Sequence, residues 1–160
     1  MDVMIRPEEE TDLDLDWFAL DAQGHVAHFT TGGCGALPRS AAASRADLQT
    51  VREYIRALPE TGASILNRDR LNGIRLHPFD KAEPRESVRY WADSAARGLY
   101  AYDYLEDRRR RPRPYWIVAR PEVPLHADEL PPDVREIVAR TLLRHVAFAH
   151  EDVIGMASLL

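Results

Sequence analysis

Asp14-Leu-Asp-Trp-Phe-Ala-Leu-Asp-Ala-Gln-Gly-His-Val-Ala-His-Phe-Thr-Thr-Gly-Gly-Cys-Gly-Ala-Leu-Pro38 reads as a β-hairpin running into a glycine-rich loop. Trp17 to Leu20 and His25 to Thr30 are short runs rich in aromatic and β-branched residues, the composition of strands. Between them Asp21-Ala-Gln-Gly24 suits a type I turn that opens on aspartate and closes on a left-handed glycine. That turn pairs Leu20 with Val26, Phe18 with His28 and Trp17 with Phe29. Side chains alternate along a strand. One face therefore carries Trp17, Ala19, Ala27 and Phe29, and the other Phe18, Leu20, Val26 and His28. Both faces are largely apolar, so both require cover.

Outward from the hairpin, Ala36 to Ala43 is a connector, and Ser44-Arg-Ala-Asp47 starts a helix as a capping box would. Leu48, Val51, Ile55 and Leu58 recur at helical spacing until Pro59 and Gly62 stop it. Ile65, Ile74 and Leu76 suggest a short strand. A second helix opens near Pro84, with Val88, Trp91, Ala95 and Leu99 as its stripe and Gly98 as its stop. Leu99 to Tyr104 and Tyr115 to Arg120 read as strands joined by an arginine-rich loop. Val134, Ile137, Val138 and Leu142 mark a third helix, and Val146 to Phe148 a last short strand. The pattern predicts a single α+β domain over residues 1–160, a mainly antiparallel sheet with about three packed helices. Residues 1–12 are expected to be a frayed acidic lead-in.

A chain of 160 residues suits one domain and can bury about 70% of its unfolded surface. Hydrophobic residues make up 45% and charged residues 29%, ordinary values for a globular protein. The single cysteine excludes an intramolecular disulfide and fits a reducing cytosol. The opening residues are polar and acidic, so no signal peptide is expected, and no apolar run reaches the roughly 20 residues of a membrane span. Cytoplasmic localisation without membrane contact is the expectation.

The net charge of −5 is unevenly spread. Asp12, Asp14 and Asp16 belong to an acidic N-terminal stretch; Arg109, Arg110 and Arg111 belong to a compact basic run beside Tyr102 and Tyr104. Opposite-sign patches favour an oriented protein partner, and these eight residues are its expected contacts. The tyrosine and arginine cluster could also hold single-stranded nucleic acid as an adaptor does, but the acidic total and the lack of a recognised RNA-binding motif oppose that.

Cys34 in the glycine loop, with His28 upstream, is the alternative centre, either for a small-ligand binder or for an enzyme with a thiol nucleophile. A reactive thiol needs a nearby base, cation or helix N-terminus to lower its pKa, and the local sequence supplies no warranted contact. The loop lacks both the P-loop pattern and GxGxxG. His25 and His28, three apart on a strand, point to opposite faces and cannot close on one metal ion. No cofactor or metal is expected.

Asp16-Trp-Phe-Ala-Leu-Asp, Gly24-His-Val-Ala-His-Phe-Thr-Thr-Gly-Gly, Ala96-Arg-Gly-Leu-Tyr-Ala-Tyr-Asp103, Pro114-Tyr-Trp-Ile-Val-Ala-Arg-Pro121 and Glu129-Leu-Pro131 together carry a resemblance. The chain resembles a group of small bacterial proteins, some of them similar to immunity proteins of polymorphic toxin systems. The resemblance spans most of residues 14–154 and its motifs are structural in character. It implies a single-domain bacterial cytosolic protein without a cofactor. In the immunity case the role would be to bind and block a toxin. It carries over no site residues.

Overall fold

The computed structural model describes residues 3–10, 13–33, 37–69, 88–104, 114–155 and 159. Among these, the strands are β1 (Asp16–Asp21), β2 (Val26–Thr30), β3 (Ser64–Leu66), β4 (Tyr100–Tyr104), β5 (Tyr115–Pro121), β6 (Leu142–Leu143) and β7 (Val153–Ile154). The helices are α1 (Pro7–Glu10), α2 (Arg39–Ala42), α3 (Arg45–Ala57), α4 (Arg89–Ala96) and α5 (Pro132–Ala139). The strands form one sheet in the order β3-β5-β4-β2-β1-β6, with β7 added against β5. Its pairs are antiparallel except β1 with β6 and β2 with β4. The fold is α+β, as the sequence pattern predicts.

The hairpin sits at the centre of the sheet in the expected register, with Trp17 opposite Phe29, Phe18 opposite His28 and Leu20 opposite Val26. Its turn closes on Gly24 at φ +81°, and Asp21 Oδ1 accepts from the backbone N–H groups of Gln23 and His25, each at 2.9 Å. The other oxygen of Asp21 accepts from Phe148 N–H at 2.9 Å, so this buried carboxylate holds the turn to the C-terminal segment.

Each hairpin face enters its own core. Trp17 and Phe29 stack at 4.0 Å between ring centroids, and Tyr102, Tyr115 and Phe148 complete this aromatic layer. Trp17 Nε1–H donates to Tyr115 Oη at 3.1 Å, so the largest side chain of the core is also satisfied. On the other face Phe18, Leu20 and Val26 meet Val51 and Ile55 of α3 and Val134 and Val138 of α5. Next to them Ala95 of α4 lies on Ala101 and Ala119 of the sheet. Small residues there let α4 come close to the strands.

Helix α3 begins at the expected Ser44 with half of the capping box: Ser44 Oγ accepts from Asp47 N–H at 2.9 Å, while the Asp47 carboxylate turns to Arg140. An ion pair between Asp47 and Arg140 ties its first turn to the end of α5. Helix α4 ends at Ala96, so Leu99 falls outside its stripe, and Gly98 just beyond it has a φ of +101°, which an L side chain rarely adopts. A Cβ there would stand 2.8 Å from both the backbone nitrogen and the Cβ of Leu125. Gly98→Ala should therefore cost about 2 to 4 kcal/mol from combined backbone strain and overpacking. An unchanged urea midpoint would refute this.

Four expectations are corrected. Val146 to Phe148 is not a strand; it is an irregular and turn segment whose Val146 and Phe148 are buried on the aromatic layer. Leu142 does not continue the stripe of the third helix. That helix ends at Ala139, and Leu142 is an exposed strand residue paired with Leu20. The connector forms the short helix α2. The lead-in is docked rather than frayed over residues 3–10, because Ile5 is buried, donates to Ala42 O at 2.8 Å and precedes α1. Ile74, Leu76 and Pro84 lie outside the described residues, whereas Ile65 lies in β3.

Candidate functional site

Alternation along the hairpin places Asp16 and His28 on the sheet face that α3, α4 and α5 cover. Because Phe18 is opposite His28, Asp16 is its diagonal neighbour on that face, within reach of a long side chain. His28 Nε2 lies 3.0 Å from Asp16 Oδ1 and His28 Nδ1 lies 2.8 Å from Ser94 Oγ. A carboxylate can only accept, so Nε2 carries the hydrogen toward Asp16, and Nδ1 shares the second hydrogen bond with the Ser94 hydroxyl.

Helix α4 supplies two of these anchors at helical spacing. Trp91 and Ser94, three residues apart, share one side of the helix and meet Thr30 and His28, two apart on β2. Trp91 Nε1–H donates to Thr30 Oγ1 at 2.9 Å, and Thr30 Oγ1–H donates to Asp103 Oδ1 at 2.8 Å.

Asp16 is the node of the arrangement. Besides His28, it receives a hydrogen bond from Tyr90 Oη–H at 2.7 Å, and Arg52 Nε of α3 stands 2.9 Å from its Oδ2. Burial alone would push its carboxyl up. The His28 hydrogen bond and charge, the Tyr90 hydrogen bond and the Arg52 guanidinium outweigh that and hold it below the usual value. Tyr90 is moved the other way: burial, with the Asp16 hydrogen bond and charge, pushes its hydroxyl up to about 12.

Linkage gives the lowered Asp16 a pH signature. Its contribution to stability is complete above the unfolded value of 3.8 and is lost as pH falls through the lowered folded value. The urea midpoint of the wild-type chain should therefore approach that of Asp16→Asn as the solution is acidified below pH 3.8. A gap that stays constant with pH would refute the assignment.

Above this network, a cleft of about 270 Å³ opens between α3 and α4. Phe18, Ile55 and Ser94 lie along it, with Arg52, Arg56 and Arg97. On the far side of Arg52 and Tyr90, a second hollow of about 470 Å³ is lined by Asp14, Asp16 and Asp103. Among the described residues no group of three or more His, Cys, Asp or Glu side chains is arranged to hold a metal ion. No helix of the described residues is long and apolar enough to cross a membrane.

The residues singled out from sequence divide sharply. Asp16 and His28 are brought together as partners of each other: His28 is buried, the Asp16 side chain is 10% exposed, and its oxygens are engaged by His28, Tyr90 and Arg52, which leaves it little to offer a partner. Tyr102 is fully buried, its hydroxyl donating to Glu151 O at 2.7 Å, and it cannot meet a partner either. Burial raises its hydroxyl far above the ordinary value. Period-2 spacing faithfully put the tyrosines on one side of β4, but that side is the aromatic core. Tyr104 is half-buried against Tyr115, with ring centroids 5.2 Å apart. Asp14 is exposed, with Oδ1 accepting from Gly32 N–H at 3.0 Å. Cys34, Asp12, Arg109, Arg110 and Arg111 lie outside the described residues.

Sequence reasoning missed Tyr90, Arg52 and Ser94. The Asp16–His28 contact was encoded in the predicted register as a diagonal pair. Nothing local in the sequence aims α3 or α4 at that pair. Comparison with known proteins adds no further assignment: no protein family, curated protein or solved structure matches this chain.

Proposed function

We propose that the protein is a non-enzymatic protein-binding module, most concretely an immunity-type inhibitor of a bacterial toxin, and that the mouth of the α3–α4 cleft is its recognition surface. The observation that carries this reading is the pinning of Tyr90 and Arg52 on Asp16 at that mouth. Tyrosine and arginine dominate binding hot spots. Side chains held in place before binding lose less entropy when a partner arrives. Tyr90 is 38% exposed, so it is anchored at its hydroxyl while part of its surface remains open. Arg56 stands beside it on the α3 side.

The test is co-expression in a bacterial host with the toxin domains encoded beside its gene. The wild-type chain should restore growth, and a folded Tyr90→Ala, Arg56→Glu double variant should not. Equal rescue by both would remove the cleft mouth from recognition, and failure to rescue against any neighbouring toxin would remove the inhibitor reading. Charge reversal at Arg109 to Arg111 in the same assay should slow association if the basic run steers the partner.

The Asp16–His28–Ser94 chain favours a second reading, acyl transfer with Ser94 as nucleophile, His28 as base and Asp16 orienting the ring. Against it, Ser94 sits in the last turn of α4, where the helix dipole opposes a developing alkoxide. Its carbonyl already accepts from Arg97 and Leu99 N–H groups. Labelling by a fluorophosphonate in the wild-type chain, abolished in Ser94→Ala, would establish this activity. An unlabelled wild-type chain would remove it.

A further inference from the structure

We propose that the α3–α4 cleft is a binding site for a small organic monocarboxylate with a flat apolar body. This goes beyond the inhibitor reading; it shares Arg56 with that surface but needs no protein partner.

The size of the cleft limits the ligand. Its volume of about 270 Å³ is roughly nine times the ~30 Å³ share of a water molecule in the liquid, room for one ring with an acid group. Phe18 and Ile55 offer the apolar surface for such a ring.

Charge then selects the head group. Three arginines line the cleft, but the commitments of their guanidiniums differ. Arg52 is neutralised by Asp16. Arg97 is anchored to neutral acceptors, through Nε to Leu58 O and Nη1 to Asp93 O, each at 2.9 Å. Arg56 faces the Tyr90 hydroxyl. Among the described residues neither Arg56 nor Arg97 has a carboxylate within ion-pair distance. A guanidinium beside apolar walls is less screened than one in open water, and its planar fork matches a carboxylate in two parallel hydrogen bonds.

A second negative charge is disfavoured. Asp93 lies on the cleft wall, and the ionised Asp16 stands behind Arg52 and Tyr90. The site therefore suits a monoanion better than a phosphate monoester dianion. Arg97 also holds the end of α4 against α3, so Arg56 is the arginine to vary without disturbing the fold.

The experiment is titration of the isolated protein with benzoate, benzamide and phenyl phosphate, followed by calorimetry and by the amide resonances of Tyr90 and Ser94. Benzoate should shift both resonances saturably, and the neutral isostere benzamide should bind about tenfold more weakly or worse. Arg56→Gln should weaken benzoate about tenfold with an unchanged circular dichroism spectrum, and Arg56→Lys should recover only part, because it keeps the charge and loses the fork. Absence of a saturable benzoate shift would overturn the proposal. So would equal binding of benzamide, indifference to Arg56→Gln, or tighter binding of phenyl phosphate. None of these results depends on the toxin assay, so either proposal can fail alone.

Discussion

Asp16→Ala should destabilise the protein by about 3 to 5 kcal/mol, the cost expected when one member of a buried, charged network is deleted. The magnitude follows from how many partners the carboxylate serves. His28 would lose its Nε2 acceptor, Tyr90 its hydroxyl acceptor and Arg52 its counter-charge, all from one truncation. The side chains of Asp16 and His28 are only 10% and 4% exposed, so water cannot simply take over. Asp16→Asn should cost less, since the amide oxygen can still accept. Urea unfolding of both variants checks the order. An alanine variant within 1 kcal/mol of wild type, on the scale of an exposed ion pair, would mean that the network contributes little to the fold.

Trp17→Ala should show a loss of comparable size, about 3 to 5 kcal/mol, from a different cause. Trp17 has no exposed surface, stacks on Phe29 and meets Tyr115 edge-on at 5.4 Å. Its removal leaves a cavity among rigid rings that cannot collapse into it, and it takes away the donor to Tyr115 Oη. Trp17→Phe keeps most of the volume and should recover more than half of the loss. Thermal or urea melts of the pair decide the matter; a tolerant Trp17→Ala would show that the aromatic layer repacks.

The two variants probe opposite faces of one strand. Asp16 and Trp17 are adjacent in sequence, yet one belongs to the polar network under α3 and α4 and the other to the aromatic core. Alternation in β1 is what separates them. It is also why the cleft can hold a charged network one layer away from the most apolar part of the molecule.

How much of this was legible depended on the range of the interactions. The hairpin register, the Gly24 turn, the Ser44 cap and the stop at Gly98 rest on contacts within a few residues, and each was readable from residue types and spacing. Errors came where a local pattern met a distant constraint. Val146 and Phe148 have the composition of a strand, but the Asp21 carboxylate captures the Phe148 N–H and the segment folds as a turn on the aromatic layer. Tyr102 was assigned to one face of its strand, but the direction of that face relative to solvent depends on elements remote in sequence. Ile5 and Phe148, 143 positions apart, belong to the same core that buries it.

By itself, the sequence determined the class of fold, the centre of the sheet and the two apolar faces of the hairpin, because turn chemistry and side-chain alternation act over short distances. It also contained the Asp16–His28 diagonal. Only the tertiary structure decided what lies over that diagonal. Helix α3 brings Arg52 to Asp16; helix α4 brings Tyr90 to Asp16 and Ser94 to His28. No local rule specifies the angle at which a helix crosses a sheet. That angle follows from packing small residues such as Ala95 on Ala101 and Ala119, a property of three chain segments at once.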